Sequence, residues 1–511
     1  MSVTIESRQS AAPKHFDIGA AFERFMNGIG LSPQDTGGNI TFFGEDPIFE
    51  SRHRIGACIS IPIMGAATGA AAIWRMRTGR GQNLSLDLRK AIHGVNPVYK
   101  FKPTINGYAY QMPYALGNHE IFDLYLTKDD RWALPTGGYP HMLAEWCALL
   151  RCSPEKASIA NAVLKWNAQD LDDAAAEHNM IFALCRSHEE WARHPQGEVL
   201  ASKPLIEIEK IADSEPEPFA PANRPLSGIR VLSHTHVIAG NVVSRTLAEQ
   251  GAEVLHVDQP QEFEHEIFTT ETTVGQRSTW IDLKSPDGNR IAHELAAGAD
   301  VFVDSYRGRT ISDLGFSPQA LAERRPGIIY CSIRCYGYDG PWANRGGFDM
   351  EALCVSGFAF EEGTPDRPKF PPTKVMNDFI AGYMGAAGVT AALIRRAREG
   401  GSYHVKICLT RNAMWYPTLG VFEPNEVDDL TGEQHQLLQP DTITRQTPYG
   451  EVYRLAPPVQ FSETPGVWDD PILTVRGSCK PEWQSRPDVR KGPESTSKLT
   501  TPSRPTAAVG R

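Results

Sequence analysis

The sequence predicts an α/β protein, with a Rossmann-like parallel sheet in the second half of the chain and a smaller α+β domain in the first half. Two observations support this class. Short apolar segments alternate with helical patterns in the second half, as they do when helices connect the strands of a parallel sheet. The proline-rich stretch SEPEPFAPANRPLSG precedes them and interrupts any regular pattern, so it separates the two halves.

The second half begins with a βαβ unit. GIRVLSHTHVIAG predicts a strand that enters a loop, NVVSRTLAEQ a helix and AEVLHVD the next strand. The first loop holds only Gly240 instead of the three spaced glycines of a dinucleotide-binding turn, so we expect no nicotinamide cofactor. The strands and helices predicted further along the chain are STWIDL, DGNRIAHELAAG, ADVFVDS, SPQALAERR and GIIYCSIR.

The first half mixes helical patterns with a predicted hairpin. Its apolar, small-residue segment IPIMGAATGAAAIWRMRTGRG predicts a helix, and IFDLYLTKDDRWALP predicts two antiparallel strands. Further helices are predicted at HMLAEWCALLRC, LDDAAAEHNM and HEEWARH. This mixture indicates an α+β domain.

One apolar helix pattern occurs twice. Residues 65–81 and 385–401 share seven identities over seventeen aligned positions without a gap, at an offset of 320 residues. A strand-like segment follows each copy, NLSLDL after the first and YHVKICL after the second. These matches favour an internal duplication of one helix–strand element, although alanine-rich helices also match by accident.

Composition and spacing together predict six segments. The region 476–511 is rich in Pro, Ser, Thr and Lys, and such a composition buries too little apolar surface to offset the entropy of ordering. The segments are an N-terminal arm (1–35), a small α+β domain with the partial repeat (36–213), a Pro-rich linker (214–227), a Rossmann-like domain (228–420), a C-terminal return segment (421–475) and a disordered tail (476–511).

The overall charge limits the partners. Among 511 residues, 51 are basic and 61 acidic, which gives a net charge of -10 and disfavours binding to nucleic acid or to an anionic membrane. No run approaches the roughly 18 consecutive apolar residues of a membrane helix, and the first residues lack the apolar stretch of a signal peptide. We therefore expect a cytoplasmic protein. The nine cysteines show no metal-ligand spacing and are expected to be reduced, buried thiols.

Five stretches in the second half resemble the family III CoA-transferases, a family that includes carnitine and formate CoA-transferases and the related α-methylacyl-CoA racemase. They occur in the family's order between about residues 225 and 420. The stretches are PLSGIRVLSHTHVIAG, RSTWIDLKSPDG, ADVFVDSYRGRTISDLG, IIYCSIRCYGYDGP with the following GFDMEALCVSG, and DFIAGYMGAAGVTAALIRR. The first half resembles the later part of the same family's chain, from RTGRGQ to HPQG and PLIEIEKI.

The resemblance implies an enzyme that moves CoA from an acyl-CoA donor to a carboxylic acid through a covalent aspartyl-CoA intermediate. Acyl-CoA and the carboxylate are then small-molecule substrates, and no cofactor is permanently bound. Family members consist of a large and a small domain, and two of their chains interlock. Both kinds of segment occur here in one chain in a different order, which leaves two alternatives, a homodimer or an intrachain pseudo-dimer.

The resemblance places the nucleophile at Asp378, in VMNDFIAGYMGAAG. From the residues alone, Asp378 is equally well explained as an N-cap or first-turn residue, because acidic groups are favourable at a helix start. The two roles are compatible. The offset of 320 residues carries Asp378 back to Cys58, for which we expect a structural thiol and therefore one active site per chain.

The matching motifs also imply a set of CoA-binding residues. Lys284 is the strongest candidate for a phosphate contact, and its alternative explanation is a solvated lysine at a helix start. Gln259 and Asp313 stand where the family often has basic groups. The implied CoA-binding residues are His236, Val237, Ala239, Ile281, Lys284, Ser305, Tyr306 and Arg345.

Two alternative functions stay open. The related racemase uses a His before the Asp of its turn, together with the helix-start aspartate, to exchange a proton at the α-carbon. Phe348 occupies that His position in this sequence, which disfavours racemisation. A non-catalytic relative that binds CoA or a partner is favoured by the altered basic positions and disfavoured by Asp378.

Overall fold

The computed structural model describes residues 16–109, 123–260, 263–427 and 430–484. In the first half the helices are α1 (Ile18–Gly28), α2 (Ile55–Thr78), α3 (Leu88–Ala91), α4 (Pro97–Lys100), α5 (Pro140–Leu150), α6 (Lys156–Val163), α7 (Ala168–Glu177), α8 (His188–Ala192) and α9 (Pro195–Ala201). The strands are β1 (Ile40–Phe43), β2 (Leu84–Asp87), β3 (Thr104–Ile105), β4 (Tyr108–Ala109), β5 (Tyr125–Leu126), β6 (Trp132–Pro135), β7 (Phe182–Leu184) and β8 (Ile206–Ala212).

The second half continues the numbering. Its helices are α10 (Ala239–Glu249), α11 (Glu266–Thr272), α12 (Pro286–Ala297), α13 (Thr310–Asp313), α14 (Pro318–Arg324), α15 (Asp349–Val355), α16 (Phe358–Glu362), α17 (Asn377–Glu399) and α18 (Leu409–Trp415). Its strands are β9 (Arg230–His234), β10 (Glu253–Asp258), β11 (Arg277–Trp280), β12 (Val301–Asp304), β13 (Ile329–Arg334), β14 (Ser402–Cys408), β15 (Thr442–Thr447), β16 (Gly450–Leu455) and β17 (Gln460–Phe461).

A seven-stranded sheet forms the centre of the second half, in the order β11-β10-β9-β12-β13-β14-β8. The first six strands in this order are parallel, and only β8, at the edge, is antiparallel to its neighbour. Val231 of β9 is paired with Val254 on one side and with Val301 on the other, so the chain order reverses at β9. The predicted α/β class with a Rossmann-like sheet is confirmed.

Helices cover both faces of this sheet because successive strand residues point to opposite sides. Val231 and Val301 contribute to a core shared with α10 and α17, whereas Leu232 and Phe302 pack toward α12 and α14. Strands buried on both faces have apolar residues at nearly every position, which explains the continuous runs VFVD and IIYCSIR in the sequence.

Two long apolar helices connect the halves of the chain. Helices α2 and α17 approach so closely that a Cβ on Gly69 would lie 2.0 Å from Oγ1 of Thr390, so a side chain at Gly69 would separate the helices. Strand β2 follows α2 and pairs parallel with β1 and antiparallel with β17. Strand β14 follows α17 and pairs parallel with β13 and antiparallel with β8. The strand of the duplicated element thus has the same pairing pattern in both copies, with one parallel and one antiparallel neighbour.

Among the described residues, α2 is the one helix long and apolar enough to cross a membrane, with a mean hydropathy of 1.6 over its most apolar window. The sequence of α2 contains no uninterrupted run of about 18 apolar residues, so a membrane helix was not predicted there. That window is completely buried within the protein, as expected for a core helix packed against α17.

Strand β8 belongs by sequence to the first half and completes the sheet of the second half. It pairs with β14 from Ile206 to Ala212, directly before the Pro-rich stretch. At the other end, residues 476–484 lie against the same sheet, where the Trp483 indole N–H donates to the carbonyl of Leu295 at 3.0 Å. The rest of the predicted tail, 485–511, lies outside the described residues.

Candidate active site

A cavity of about 610 Å³ opens at the carboxyl ends of β9, β12 and β13. The chain order of the strands reverses between β9 and β12, and such a reversal leaves a crevice where α/β proteins bind their ligands. The loop after β9, the loop after β12 and the start of α17 all contribute to its wall. The topology of the sheet therefore determines where the site lies.

The first half of the chain supplies another part of the wall. Tyr139 and the first residues of α5, Pro140 to Met142, line the cavity together with Ile181. Close by, the Thr136 hydroxyl donates to a carboxylate oxygen of Glu351, which fixes the end of β6 against α15. Sequence patterns do not single out these residues, because their role depends on contact between segments far apart in the chain.

Asp378 lines the cavity from the first turn of α17. The N-cap residue of this helix is Met376, and Asp378 lies in the first turn, which is one of the two positions that the sequence allowed. The cap comes from α15, since Oδ2 of Asp349 accepts the backbone N–H groups of Met376 at 3.1 Å and of Asp378 at 2.8 Å. The Asp378 carboxyl group thus takes no part in capping.

Neighbouring side chains fix the start of α17. The Asn377 amide donates to the carbonyl of Leu409 at 3.0 Å and accepts the hydroxyl of Tyr416 at 2.7 Å. In contrast, the carboxyl group of Asp378 has no hydrogen-bond partner among the described residues, and the residue is 8% exposed. A rigid helix start therefore presents a carboxyl group that remains available to a ligand.

The carboxyl groups around Asp378 control its charge. Burial, followed by the nearby carboxylates of Asp349 and Glu351, raises the pKa of Asp378 well above that of an ordinary aspartate. Burial also raises the pKa of Asp349, to about 7, although backbone N–H groups of the helix start stabilise its anion. Because Asp378 lacks such donors, its carboxylate is the less stabilised of the two and the more reactive toward an electrophile.

Six of the eight implied CoA-binding residues line the cavity: His236, Val237, Ala239, Ser305, Tyr306 and Arg345. The backbone N–H of His236 donates to the Ser305 hydroxyl at 3.3 Å, and its ring lies 4.9 Å from that of Tyr306. Burial lowers the pKa of His236 to about 4, so its imidazole is neutral at pH 7. The loops after β9 and β12 therefore form one continuous surface.

Ile281 and Lys284 do not line the cavity. Ile281 is 4% exposed and packs in the core beneath α12. Lys284 is exposed, and its backbone N–H donates to the Asp282 carboxylate at 3.0 Å. The structure leaves the Lys284 side chain in the position of a solvated residue at a helix start.

The arginines of the cavity differ in their partners. Arg345 pairs with Asp172 of the first half and lies 4.5 Å above the Trp342 ring, while Arg334 pairs with Asp304 at 2.7 Å. Arg307 is exposed and donates to the backbone carbonyl of Asn179 at 3.1 Å, and no carboxylate among the described residues contacts it. Sequence analysis missed Arg307, although its place after a strand end, in SYRGRT, is a typical position for binding an anion.

Gln196 of the first half holds the loop that leads to Arg345 and Phe348. Its side-chain amide donates to the carbonyls of Tyr336 at 2.7 Å and Asp339 at 2.8 Å. Its oxygen accepts the backbone N–H of Trp342 at 2.9 Å, and the residue is completely buried. Gln196 therefore positions one wall of the cavity without lining it.

Gln196→Glu is expected to lower kcat/KM for a reaction in this cavity by about 10- to 100-fold, because two buried carbonyls lose their donor while the Trp342 contact is kept. The kinetic parameters are measured with and without the substitution, alongside the exposed Gln434→Glu as a control. A loss of thermal stability with unchanged kcat/KM would assign Gln196 a purely structural role.

Cys58, the counterpart of Asp378 in the duplicated element, lies fully buried in α2. Burial raises the pKa of its thiol well above the usual value, so it remains protonated and unreactive. The carboxylate of Asp46 accepts the N–H groups of Gly56 at 2.9 Å and Ala57 at 2.7 Å, much as Asp349 caps α17. The first copy keeps the capped helix start and lacks both an open cavity wall and a carboxyl group at this position.

A buried carboxyl group at a helix start, set in the crevice of a Rossmann-like sheet, defines an α/β protein with a ligand-binding crevice between its two halves. Residues 226–468 match the family model of CoA-transferase family III.

The relatives are CoA-transferases by name. Succinyl-CoA:glutarate CoA-transferase of Mus musculus is 33% identical over 197 residues, which are 36% of this chain and 45% of that protein. Acetyl-coenzyme A transferase nodX of Hypoxylon pulicicidum is 28% identical over 335 residues, 61% of this chain and 56% of that protein. The chain thus spans about half the length of the curated relatives it matches. A solved structure of a CAIB/BAIF family protein from Brucella suis is 28% identical with a TM-score of 0.36, and the match covers 38% of this chain and 56% of that chain.

Proposed function

We propose that this protein is a CoA-transferase that moves CoA from an acyl-CoA donor to a carboxylic acid acceptor, with Asp378 as the covalent nucleophile. One observation supports it above the others. The carboxyl group of Asp378 has no hydrogen-bond partner among the described residues, yet it lines the same cavity as the loops after β9 and β12. The match of residues 226–468 to the model of CoA-transferase family III agrees with this chemistry.

The proposed reaction begins when the Asp378 carboxylate attacks the thioester carbonyl of the donor. The C–S bond breaks, which leaves a mixed anhydride on Asp378 and a free CoA thiolate. The thiolate then attacks the Asp378 carbonyl, forms the aspartyl-CoA thioester and releases the donor acid. The acceptor carboxylate attacks that thioester and expels the thiolate, and the thiolate finally attacks the acceptor carbonyl to release the new acyl-CoA and free Asp378.

Two features of the structure suit the proposed series of reaction steps. The rigid start of α17 holds the nucleophile beside the bound thioester, which gives the attack a high effective concentration. The burial of Asp378 limits the access of water to this residue, and water would hydrolyse the anhydride or the thioester. Positioning and exclusion of water are the contributions of this chain's own residues.

We also infer an intrachain pseudo-dimer. Tyr139 and Met142 of the first half contribute to a cavity whose nucleophile belongs to the second half. This arrangement supports the interpretation that the first half supplies what a second chain would otherwise supply. It is compatible with a homodimer of whole chains.

Isotope exchange tests the function. The protein is incubated with a panel of acyl-CoA donors and labelled carboxylates, and hydroxylamine is added to convert an aspartyl thioester to a hydroxamate located by peptide mass. We expect label to enter acyl-CoA and the hydroxamate to form on Asp378. Deuterium uptake at the α-carbon of a 2-methylacyl-CoA in heavy water would indicate the racemase instead, and bound CoA without exchange would indicate a non-catalytic relative.

Arg307→Ala is expected to weaken CoA binding by about 10- to 100-fold, as for the loss of a charge-assisted contact to phosphate. Arg307 lies at the exposed edge of the cavity without a carboxylate partner among the described residues, so it is available to an anion. Calorimetry compares it with Lys284→Ala, which should have the smaller effect because Lys284 does not line the cavity. The reverse ranking would place the phosphates at Lys284.

A further inference from the structure

We infer that the acid taken by this site is a monocarboxylate with an apolar body, aliphatic or aromatic, and not a dicarboxylate. The inference rests on the proposed CoA transfer at Asp378. It concerns the part of the cavity beyond the loops after β9 and β12, where the acyl group must lie once its carboxyl carbon is next to Asp378.

Aromatic side chains form this part of the wall. The Tyr139 ring lies 6.3 Å from the Phe348 ring in a stacked arrangement and 6.0 Å from the Phe263 ring in a perpendicular one. Met142 and Ile181 line the same cavity. Flat and apolar walls of this kind favour an apolar ligand, because water leaves both surfaces on binding.

The aromatic wall lies close to the nucleophile. Phe348 is the residue before Asp349, whose carboxylate accepts the backbone N–H of Asp378 at 2.8 Å. Phe348 therefore stands one residue from a group that touches the nucleophilic residue. An acyl group attached to Asp378 would extend along this aromatic wall.

The buried basic groups of the cavity are unsuited to a second carboxylate. Arg334 and Arg345 are already neutralised by Asp304 and Asp172, and both arginines are largely buried with those partners. The His236 ring is neutral at pH 7 because burial lowers its pKa. Arg307 remains, and it lies at the exposed edge. Within the described part of the chain, no other arginine or lysine lines this cavity.

The acidic groups make the same selection stronger. Glu264 also lines the cavity, with one carboxylate oxygen 3.7 Å from Nδ1 of His236, so a second carboxylate on the ligand would meet the negative charge of Glu264. Burying that carboxylate without a counter-charge is costly, whereas a methyl or phenyl group in its place loses nothing. The site therefore favours a monocarboxylate for two reasons. Burial of the second carboxylate of a dicarboxylate is unfavourable, and the apolar wall attracts the apolar body of a monocarboxylate.

Competition between acids of equal length tests the inference. With one acyl-CoA donor, CoA transfer is measured to hexanoate and adipate, and to butyrate and succinate, each pair differing by a terminal methyl or carboxylate. We expect kcat/KM to favour the monocarboxylate by at least about tenfold in each pair. Equal or better use of the dicarboxylates by the unmodified protein would overturn the inference.

Met142→Arg adds a cation to the apolar wall at a partly exposed position, and Met142→Gln is a neutral control of similar length. We expect the arginine variant alone to narrow or reverse the preference, and circular dichroism verifies that it folds. If the proposed CoA transfer itself is wrong, no acid will exchange label and no hydroxamate will form on Asp378. That result would overturn both the proposed function and the inference. Exchange and trapping together with a preference for dicarboxylates would overturn only the inference.

Discussion

Asp378→Asn is expected to abolish CoA transfer, lowering the rate by at least about 1000-fold, because the amide cannot form the anhydride. The substitution keeps the size of the side chain and changes no hydrogen bond among the described residues, since the Asp378 carboxyl group makes none. The raised pKa of Asp378 means that its ionised form destabilises the folded protein at neutral pH. The Asn variant should therefore be as stable as the parent protein or more stable.

Two measurements give this prediction its controls. Label exchange and hydroxylamine trapping report the chemistry, and thermal unfolding reports the fold. Cys58→Ala, at the duplicated position, should leave transfer unchanged because that thiol is buried outside the cavity. Full exchange activity in Asp378→Asn, or a hydroxamate on any other residue, would refute the assignment of the nucleophile.

The central sheet could be predicted from local pattern alone. Its strands are short apolar runs, such as those ending at His234 and Asp304, and a helical pattern separates each from the next. Alternation of this kind predicts a parallel sheet whose strands are joined by right-handed crossover connections. The position of the cavity then follows from the strand order, which explains why residues of the loops after β9 and β12 lie in the cavity wall.

The capping of α17 could not be predicted, because it depends on a distant partner. A sequence shows an acidic residue at a helix start and suggests that it caps its own helix. Here the cap is Asp349, 29 positions before Asp378, and only the packing of α15 against α17 reveals it. Asp378 is thereby released from the role that its position suggests.

Partners also decide which basic residues remain available. Arg345 fits the family motif, but its guanidinium is bound to Asp172, which lies 173 positions away in the first half. Arg307 was not predicted from the sequence as a binding residue, and it has no carboxylate partner among the described residues. The net charge of a sequence counts every charged residue. The charge that a cavity offers to a ligand depends on which of those residues are already paired in the fold.

The rate of CoA transfer is expected to rise with pH through a midpoint well above the pKa of an ordinary aspartate. In the proposed mechanism the ionised carboxylate is the nucleophile, so below its pKa the rate should increase about tenfold per pH unit and then level off. Burial and the carboxylates of Asp349 and Glu351 raise this pKa. The profile of kcat/KM, measured with a donor that does not titrate in the range, gives the midpoint.

Neutralising one neighbouring carboxylate separates this explanation from a general effect of pH on stability. Glu351→Gln removes a negative charge near Asp378 and should move the midpoint to lower pH, because the ionised nucleophile is then less disfavoured. Asp349→Asn should move it further in the same direction, since the charge of Asp349 has the larger influence on Asp378. The exposed Asp366→Asn is the control and should leave the midpoint in place. A midpoint that neither neighbour shifts would show that the titrating group is not Asp378.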